Sequence, residues 1–480
     1  MSETKLPAGR PTPKGPEVVL IDATVITMDD ARQAFTSGYV WMKEGHIQGV
    51  GPGSGLKDVP TGVPRRSLEG HIVMPGLVNC HTHLGNGFLR GLYDEMPLEL
   101  WFSKGMWPVL GAMNEKNAYA GACLSALELL TTGVTTTASG EMCTPHRDVM
   151  DGVMRALEQV GMRAVVARMV MDSADVTSPA QYIPPDFRES AAAAENELRR
   201  LQRRYDSDRV AIVPEALGVL RCTPELVQAM HACAVETGTL FTMHVASSQD
   251  ERDESHRRFG HGSVAELEQL GVLGPETLIA HAIWLDDGEI ESLAARRTGL
   301  SHNPVANAYY ASGIARLAAL LDRGVRVGLG VDGASTNNSQ NVWETMKMAM
   351  LFQKQVLERA GFGGAELALE LMTRGGASAL HMENEIGSLE TGKRADVIAI
   401  DTRRLPLAPA QTAISNLVYS NDPQAVREVY VDGELLVSDG RHRSMDVRAV
   451  VENARGALAD VLAGSGLDEH VLTRSRWSWS

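Results

Sequence analysis

The stretch Val73-Met74-Pro75-Gly76-Leu77-Val78-Asn79-Cys80-His81-Thr82-His83 decides the fold of this chain. It predicts an apolar strand that ends in two histidines separated by one residue. Side chains of a strand alternate between its two faces, so His81 and His83 are expected on the same side. Two imidazole rings at the end of one strand offer half of a metal site.

Short apolar strands alternate with longer helical stretches along most of the chain, which is typical of a parallel βα fold. Eight such strands are predicted, near residues 73–80, 134–139, 162–171, 208–214, 238–244, 277–281, 297–302 and 325–331. Eight strand–helix repeats over roughly 300 residues indicate a (β/α)8 TIM-like barrel within the α/β class. An open doubly wound sheet would have a glycine-rich turn where this chain has His81-Thr82-His83.

Strand patterns at both chain ends predict a second, smaller β structure. They lie at 18–27, 40–42, 46–50, 395–401, 426–431 and 434–437. Neither group can enclose a core alone, so we expect the two ends to build one β-sandwich together. This divides the chain into residues 1–70, the first part of the sandwich, 71–385, the metal-binding barrel, and 386–480, the rest of the sandwich with a terminal helix.

Composition and charge limit the classes of partner that the protein is expected to bind. The chain has 480 residues, 44% of them hydrophobic, and a formal net charge of -15, which argues against nucleic acid or an anionic membrane as a partner. Its five cysteines are widely spaced and lack a CxxC pair, so we expect reduced thiols. Residues 1–17 contain no apolar core of a secretory signal. We therefore expect a cytoplasmic protein that acts on a small molecule.

Functional groups of a TIM barrel gather at the carboxyl ends of its strands. Seven residues that can bind metal or transfer protons stand at the predicted strand ends, namely His81, His83, Glu215, His244, His281, His302 and Asp332. Five of the 14 histidines of the chain are among them, which a random distribution would rarely produce. The joint pattern predicts a metal-dependent active site at this face of the barrel.

The motifs around these residues resemble the metal-dependent amidohydrolase superfamily. Besides His244 they comprise residues 74–83, 279–281, 301–307, 328–333 and 387–396. The most similar branch holds S-adenosylhomocysteine deaminase, atrazine chlorohydrolase and related triazine and phenylurea hydrolases. The resemblance covers nearly the whole chain, and it implies a homo-oligomer, either a dimer or a larger assembly.

The resemblance implies that His81, His83, His244 and Asp332 hold one divalent metal, with Zn²⁺ favoured and Fe²⁺ as the alternative. A bound metal lowers the pKa of water towards ~7 and so provides hydroxide at neutral pH. Asp332 would take up the proton, and His281 would orient the nucleophile or stabilise the oxyanion. Binuclear relatives generally have a lysine at the end of the fourth strand. None lies between residues 160 and 240, so a mononuclear site is expected.

Ser247 departs from the pattern of the resembling deaminases, which usually have a glutamate three residues after the third histidine. The nearest acidic residues are Asp250 and Glu251. A serine hydroxyl does not protonate a heterocycle effectively near pH 7, although it can donate a hydrogen bond. Glu215 is the candidate catalytic substitute, with a salt-bridged loop glutamate as the alternative. An amide or urea needs no ring protonation, so Ser247 favours such substrates.

Aromatic residues are enriched just after the first metal motif, at Trp101, Phe102 and Trp107. They predict either an apolar wall for a flat substrate or a helix packed on the barrel. The candidate substrate-binding residues are Trp101, Ser247, His302, Asn307 and Tyr309.

Three interpretations of the function remain open. The first is a hydrolase that cleaves a non-peptide C–N bond of a small amide, carbamate or phenylurea-like urea. The alternative is a deaminase or dechlorinase of an N-heteroaromatic compound such as a triazine or purine derivative. The third is a non-catalytic scaffold with the same fold, which the complete set of expected metal ligands disfavours.

Overall fold

A computed structural model describes residues 10–94, 101–142, 144–174, 182–409, 413–420 and 422–467. In chain order, the strands are β1 Val18–Ile26, β2 Ala34–Lys43, β3 His46–Pro52, β4 Arg65–Ser67, β5 His71–Pro75, β6 Leu77–Thr82, β7 Val134–Glu141, β8 Arg163–Val170, β9 Val210–Ala216, β10 Phe241–Val245, β11 Thr277–His281, β12 Gly299–His302, β13 Arg326–Leu329, β14 Val397–Asp401, β15 Val426–Val431, β16 Glu434–Ser438 and β17 Arg441–His442.

The α-helices are Trp107–Ala112, Glu115–Thr131, Asp148–Val160, Ala191–Tyr205, Pro224–Thr237, Gln249–Phe259, Ser263–Gln269, Asp287–Arg296, Pro304–Tyr309, Leu317–Asp322, Ala334–Asn337, Val342–Val356, Ala365–Glu370, Gly376–Ala379, Ala413–Ser420 and Val447–Ser465. Several of them begin with a side-chain cap or end at a left-handed glycine. Thr223, for example, accepts a hydrogen bond from the Leu226 amide at the start of its helix. Gly238 ends the same helix in the left-handed conformation that glycine favours.

Strands β6 to β13 form a barrel in which, over the described residues, each strand pairs in parallel with the next one along the chain. The Asp332 amide, just beyond β13, donates to the His81 carbonyl in β6 at 2.9 Å, so the last strand end meets the first. Small apolar side chains such as Val78, Ala138 and Val213 fill the interior. The predicted (β/α)8 barrel is confirmed.

The prediction of a single strand over residues 73–80 is wrong. The segment consists of β5, which pairs with β1 and β14 in the second sheet, and β6, which pairs with β7 in the barrel. The two strands separate at Gly76, where a Cβ atom would lie 2.1 Å from Oγ1 of Thr135. Residues His71–Pro75, which sequence analysis places in the barrel, thus belong to the sheet.

Strands from both chain ends build one small β structure around a core of its own, as predicted, and the structure adds that these strands form a continuous sheet. Within the described residues it is a single nine-stranded mixed sheet with the order β17-β16-β15-β14-β5-β1-β2-β3, with β4 beside β1. The sheet encloses its own small core, which includes Leu20, Val40, Val73 and Val397. One continuous sheet forms because β5 bridges the two terminal groups of strands.

A buried ionic network joins the barrel to the mixed sheet. Arg163, at the start of β8, donates to both carboxylate oxygens of Asp396 at 3.0 Å and to Asp432 at 2.7 Å. Arg209 and Arg394 each donate to Asp432 at 3.1 Å. Because the Arg163 and Asp432 side chains are fully buried, each is paired where water cannot replace its partner.

Two further sequence expectations concern cysteines and membranes. Cys80, Cys123, Cys222 and Cys233 are buried free thiols, and Cys143 lies outside the described residues. Across the part of the chain that the structure describes, every helix is too short or too polar to span a bilayer.

Candidate metal centre and substrate cavity

The candidate site lies where the barrel strands end. His81 and His83 come from the end of β6, His244 from β10, His281 from β11, and Asp332 follows β13. The ring centroid of His81 lies 4.8 Å from that of His83, 4.8 Å from that of His244 and 5.6 Å from that of His281. The structure thus brings together five residues that sequence analysis placed at four strand ends.

Asp332 lies between the histidines. One of its carboxylate oxygens, Oδ1, lies 3.5 Å from Nε2 of His81 and 3.3 Å from Nε2 of His83, and Oδ2 lies 3.9 Å from Nε2 of His281. The residue has a left-handed backbone with a φ of 66°. Such a conformation is uncommon for a residue with a side chain and is concentrated at functional sites.

The rings of His83 and His281 are each oriented by a hydrogen bond at Nδ1, the nitrogen that faces away from Asp332. Nδ1 of His83 donates to the carbonyl of Gly140, and Nδ1 of His281 lies 2.9 Å from Oδ1 of Asn307. In the neutral form of each ring the proton is then assigned to Nδ1, and Nε2, which faces Asp332, is the nitrogen that can bind a metal.

The donor set fits a divalent cation. The donor atoms of His81, His83 and Asp332 lie within 4.8 Å of one another, as do those of His81, His244 and His281. Burial lowers the pKa of His81 to about 3 and lowers that of His244 well below its ordinary value, so both rings are neutral donors. Nε2 of His81 is buried without a hydrogen-bond partner among the described residues. Neutral imidazoles with one carboxylate are ligands that zinc prefers.

The electrostatics of His83 indicate that the cluster stabilises a positive charge. Burial lowers the pKa of its ring, but the hydrogen bond to the Asp332 carboxylate outweighs burial and raises the value to about 9. A cation between these two groups would therefore be stabilised by the same carboxylate.

Glu215, the predicted catalytic substitute, lies behind His244. Its Oε1 is 3.1 Å from Nδ1 of His244, and the residue is only 2% exposed. Burial raises the pKa of its carboxyl to about 7. Among the described residues, it lines a small internal space beside Thr242 and His81 and not the large cavity above the cluster. This placement suits a group that orients His244 better than one that contacts a substrate.

A cavity of about 520 Å³ opens above the cluster and is lined by His83, His244, His281 and Asp332. This size is in the range of small-molecule sites. Its apolar wall comprises Trp101, Phe102, Met142, Leu217, Leu220 and Tyr310. Of the aromatic residues singled out in the sequence, Trp101 and Phe102 lie in this wall, with ring centroids 4.6 Å apart.

The other predicted substrate contacts divide into two groups. Ser247 and Asn307 line the cavity. His302 is 2% exposed and, with Tyr309, is not among the described residues that line the cavity. The Tyr309 hydroxyl instead contacts Asp94, and the neighbouring Tyr310 faces the cavity, because successive residues of the helix Pro304–Tyr309 and its end point in different directions.

Two residues of the site escaped sequence analysis. Glu141, at the end of β7, accepts hydrogen bonds from the amides of Leu84 and Gly85 at 3.1 Å and thereby holds the segment that follows His83. It was missed because the predicted strand ended at residue 139. Arg221 lines the cavity with its guanidinium 4.5 Å from the ring centre of Phe102. It lies several residues beyond a strand end, where the barrel rule gives no signal.

Comparison with known proteins shows which family the chain resembles. A model of the family described as "Amidohydrolase family" matches residues 72–436. The chain is 36% identical over 397 residues to 5'-deoxyadenosine deaminase of Methanothermobacter thermautotrophicus, covering 82% of this chain and 88% of the relative. It is 32% identical over 445 residues to 5-methylthioadenosine/S-adenosylhomocysteine deaminase of Syntrophobacter fumaroxidans, covering 92% and 97%.

A solved structure supports the fold. The crystal structure of atrazine chlorohydrolase from Arthrobacter aurescens TC1, complexed with zinc, superposes with a TM-score of 0.84 at 23% sequence identity. The match covers 92% of this chain and 100% of the other.

Proposed function

The chain belongs to the amidohydrolase family and is a hydrolase of carbon–nitrogen bonds other than peptide bonds, and from this premise we propose that it removes an amino group from a small aminated N-heteroaromatic compound. The observation that carries the proposal is the position of the His/Asp cluster beneath a cavity with an aromatic wall. A flat ring would stack on such a wall with its amino-bearing carbon above the cluster. The names of both curated relatives, which are deaminases of adenosine-type compounds, support this substrate class.

We assign the metal to His81, His83, His244 and Asp332, and we propose zinc, because three imidazole rings and a carboxylate suit that ion. The zinc in the superposed chlorohydrolase supports the choice. When bound, the ion would polarise water and so supply the nucleophile.

Asp332, His281 and Glu215 would accept a proton or orient the groups that take part in proton transfer. Oδ2 of Asp332 faces His281 and is the oxygen best placed to accept a proton from the attacking water. With the Nδ1 proton of His281 directed at Asn307, its Nε2 would serve as the acceptor that orients this water. Glu215 would hold His244 in place from behind.

The role of Glu215 leads to the first prediction. Glu215→Gln is expected to weaken zinc binding by about 10- to 100-fold, the usual effect of losing a carboxylate that orients a metal-binding histidine. The dissociation constant is measured by competition with a chelator of known affinity. Glu276→Gln is the matched control, because Glu276 lies 2.8 Å from Nε2 of His231 and immediately before β11, at the opposite end of that strand from His281. Equal zinc affinity of Glu215→Gln and wild type would contradict the orienting role.

Cleavage of a urea, carbamate or amide is the second candidate function. Ser247 favours it, since the cavity wall has a hydroxyl at this position and such substrates need no ring protonation. Sequence analysis preferred this candidate, whereas the names of the relatives favour deamination.

A substrate panel separates the two candidates. Zinc-loaded protein is assayed for ammonia release from aminated purines and triazines and for amine release from phenylureas, carbamates and anilides. We expect ammonia from at least one aminated ring, loss of this activity after chelation, and recovery on addition of zinc. Amine release from ureas alone would establish the second candidate, and no turnover of any compound by protein with stoichiometric zinc would contradict both.

A further inference from the structure

The cavity wall next to the cluster contains a hydrogen-bonded pair, Ser247 and Glu251. Ser247 follows His244 by three residues, and Glu251 lies in the first turn of the helix Gln249–Phe259. The helix begins with Ser248, whose hydroxyl accepts a hydrogen bond from the Glu251 amide. This cap turns the Glu251 side chain back towards Ser247, so a carboxylate reaches the cavity wall beside a position where the sequence has only a hydroxyl.

Four donors point at the Glu251 carboxylate. Oε1 accepts from the Ala246 amide at 2.7 Å and from the Ser263 hydroxyl at 3.3 Å. Oε2 accepts from the Ser247 amide at 2.8 Å and from the Ser247 hydroxyl at 2.5 Å. A carboxylate has about four lone-pair positions, so these four donors fill its capacity.

The consequence concerns Ser247. A serine hydroxyl carries one hydrogen and two lone pairs, and the hydrogen of Ser247 is directed at Glu251 through a short, charge-assisted bond. Towards the cavity, the hydroxyl can therefore only accept. A protonated acid at the same place would do the opposite and donate a hydrogen bond to a ring nitrogen.

We infer that Ser247, held by Glu251, selects substrates that present an N–H group next to the carbon whose C–N bond is broken. This inference rests on the proposed function and narrows its substrate class. It favours aminated rings of the lactam type, in which the nitrogen beside the amino-bearing carbon carries hydrogen. It disfavours adenine-type rings, in which that nitrogen is a bare acceptor and would meet the lone pairs of Ser247.

The acidic side chains near the Ser247–Glu251 pair also favour a substrate that donates a hydrogen bond. Asp250, Asp253 and Glu254 line the same side of the cavity, with Arg257 paired to Glu254 and Arg221 stacked on Phe102. Carboxylates on this wall favour a donor group of the substrate over an acceptor.

The test uses probes that differ at one nitrogen. Guanine carries hydrogen at N1 beside its amino-bearing carbon, 1-methylguanine carries a methyl group there, and 2-aminopurine has no hydrogen on that nitrogen. We expect zinc-loaded wild-type protein to show a kcat/KM for guanine at least about 10-fold above that for either other probe, because a buried acceptor without a donor is unfavourable. Calorimetry measures the Kd of each probe, and the Kd values should show the same preference for guanine.

Three variants assign the preference to Ser247. Ser247→Ala should bring the guanine to 2-aminopurine ratio to within about threefold of unity, because the acceptor is gone. Ser247→Thr keeps the hydroxyl and should keep the ratio. Ser292→Ala, at a serine that donates to Glu268 and is not among the described residues that line the cavity, should leave the ratio at its wild-type value.

The outcomes separate the inference from the proposed function. Deamination in which 2-aminopurine equals or exceeds guanine, or a guanine preference that survives in Ser247→Ala, would overturn the inference and leave the deaminase proposal standing. If none of the probes is turned over, the Kd ratios still test Ser247, and absence of binding by all three contradicts the inference. Release of ammonia from other aminated rings decides the deaminase proposal separately.

Discussion

Replacing His83 with alanine is expected to remove the metal from the protein and to lower kcat by on the order of 10³-fold or more, because water without a metal keeps its pKa of about 15.7. His83 is the ligand whose Nε2 lies closest to Asp332, at 3.3 Å, and its ring is fixed from behind by the Gly140 carbonyl. The variant removes one donor and also leaves the buried Asp332 carboxylate with one histidine fewer.

Metal content, turnover and thermal stability together check this prediction. Wild-type protein should contain about one zinc per chain and should gain thermal stability when zinc is added, since a ligand of the folded state alone stabilises it. His83→Ala should contain little zinc and gain little stability. His256→Ala, at an exposed histidine of the helix Gln249–Phe259, should behave as wild type. Full zinc content and turnover in His83→Ala would refute the metal assignment.

The residues of the metal cluster could be predicted from sequence because each follows a short strand that local patterns reveal. Parallel strands of a barrel end at one face, so knowing the strand ends is enough to place His81, His244 and Asp332 together. The alternation rule alone put His81 and His83 on one side. No long-range contact had to be known for either step.

The missed features depend on contacts between distant parts of the chain. Residues 72–78 are almost uniformly apolar, so their pattern does not show that β5 pairs with β14, more than 300 residues away, before β6 enters the barrel. The single mixed sheet follows from the same pairing. Likewise, Glu215 stands at a strand end, as predicted, but only the packing of β9 against β10 shows that its carboxylate meets His244.

The sequence around the Ser247–Glu251 pair predicts a helix start, but it does not predict the hydrogen bond between the two side chains. Ser248 followed three residues later by Glu251 is the sequence pattern of a capping box. The pattern predicts the helix start, but the left-handed backbone of Ala246, with a φ of 50°, decides that the carboxylate also receives the Ser247 hydroxyl. A backbone of this kind is uncommon for alanine, so sequence gives no reason to expect it.

Asp432→Asn is expected to lower the free energy of unfolding by about 3 to 5 kcal/mol, because it removes one partner from a buried ion pair and leaves the other charged. Arg163 would keep Asp396 but lose the negative charge that it meets at 2.7 Å, and Arg209 would lose the same charge at 3.1 Å. Asparagine tolerates the left-handed backbone of residue 432, whose φ is 48°, so the effect isolates the charge. The midpoints of thermal and urea unfolding measure it.

Two controls, a surface variant and a measurement in acid, test whether the buried charge of Asp432 causes this effect. Asp460→Asn breaks an exposed pair with Lys116 and should cost about 1 kcal/mol or less. Burial raises the pKa of Asp432, but Arg163, Arg394 and Arg209 lower it more, so its folded pKa lies well below its ordinary value. A group of this kind stabilises the fold at neutral pH and loses that contribution as the pH falls below about 4. The stability difference between wild type and Asp432→Asn should therefore shrink in acid, and a difference that stays constant down to pH 2 would show that the carboxylate charge is not what joins the barrel to the sheet.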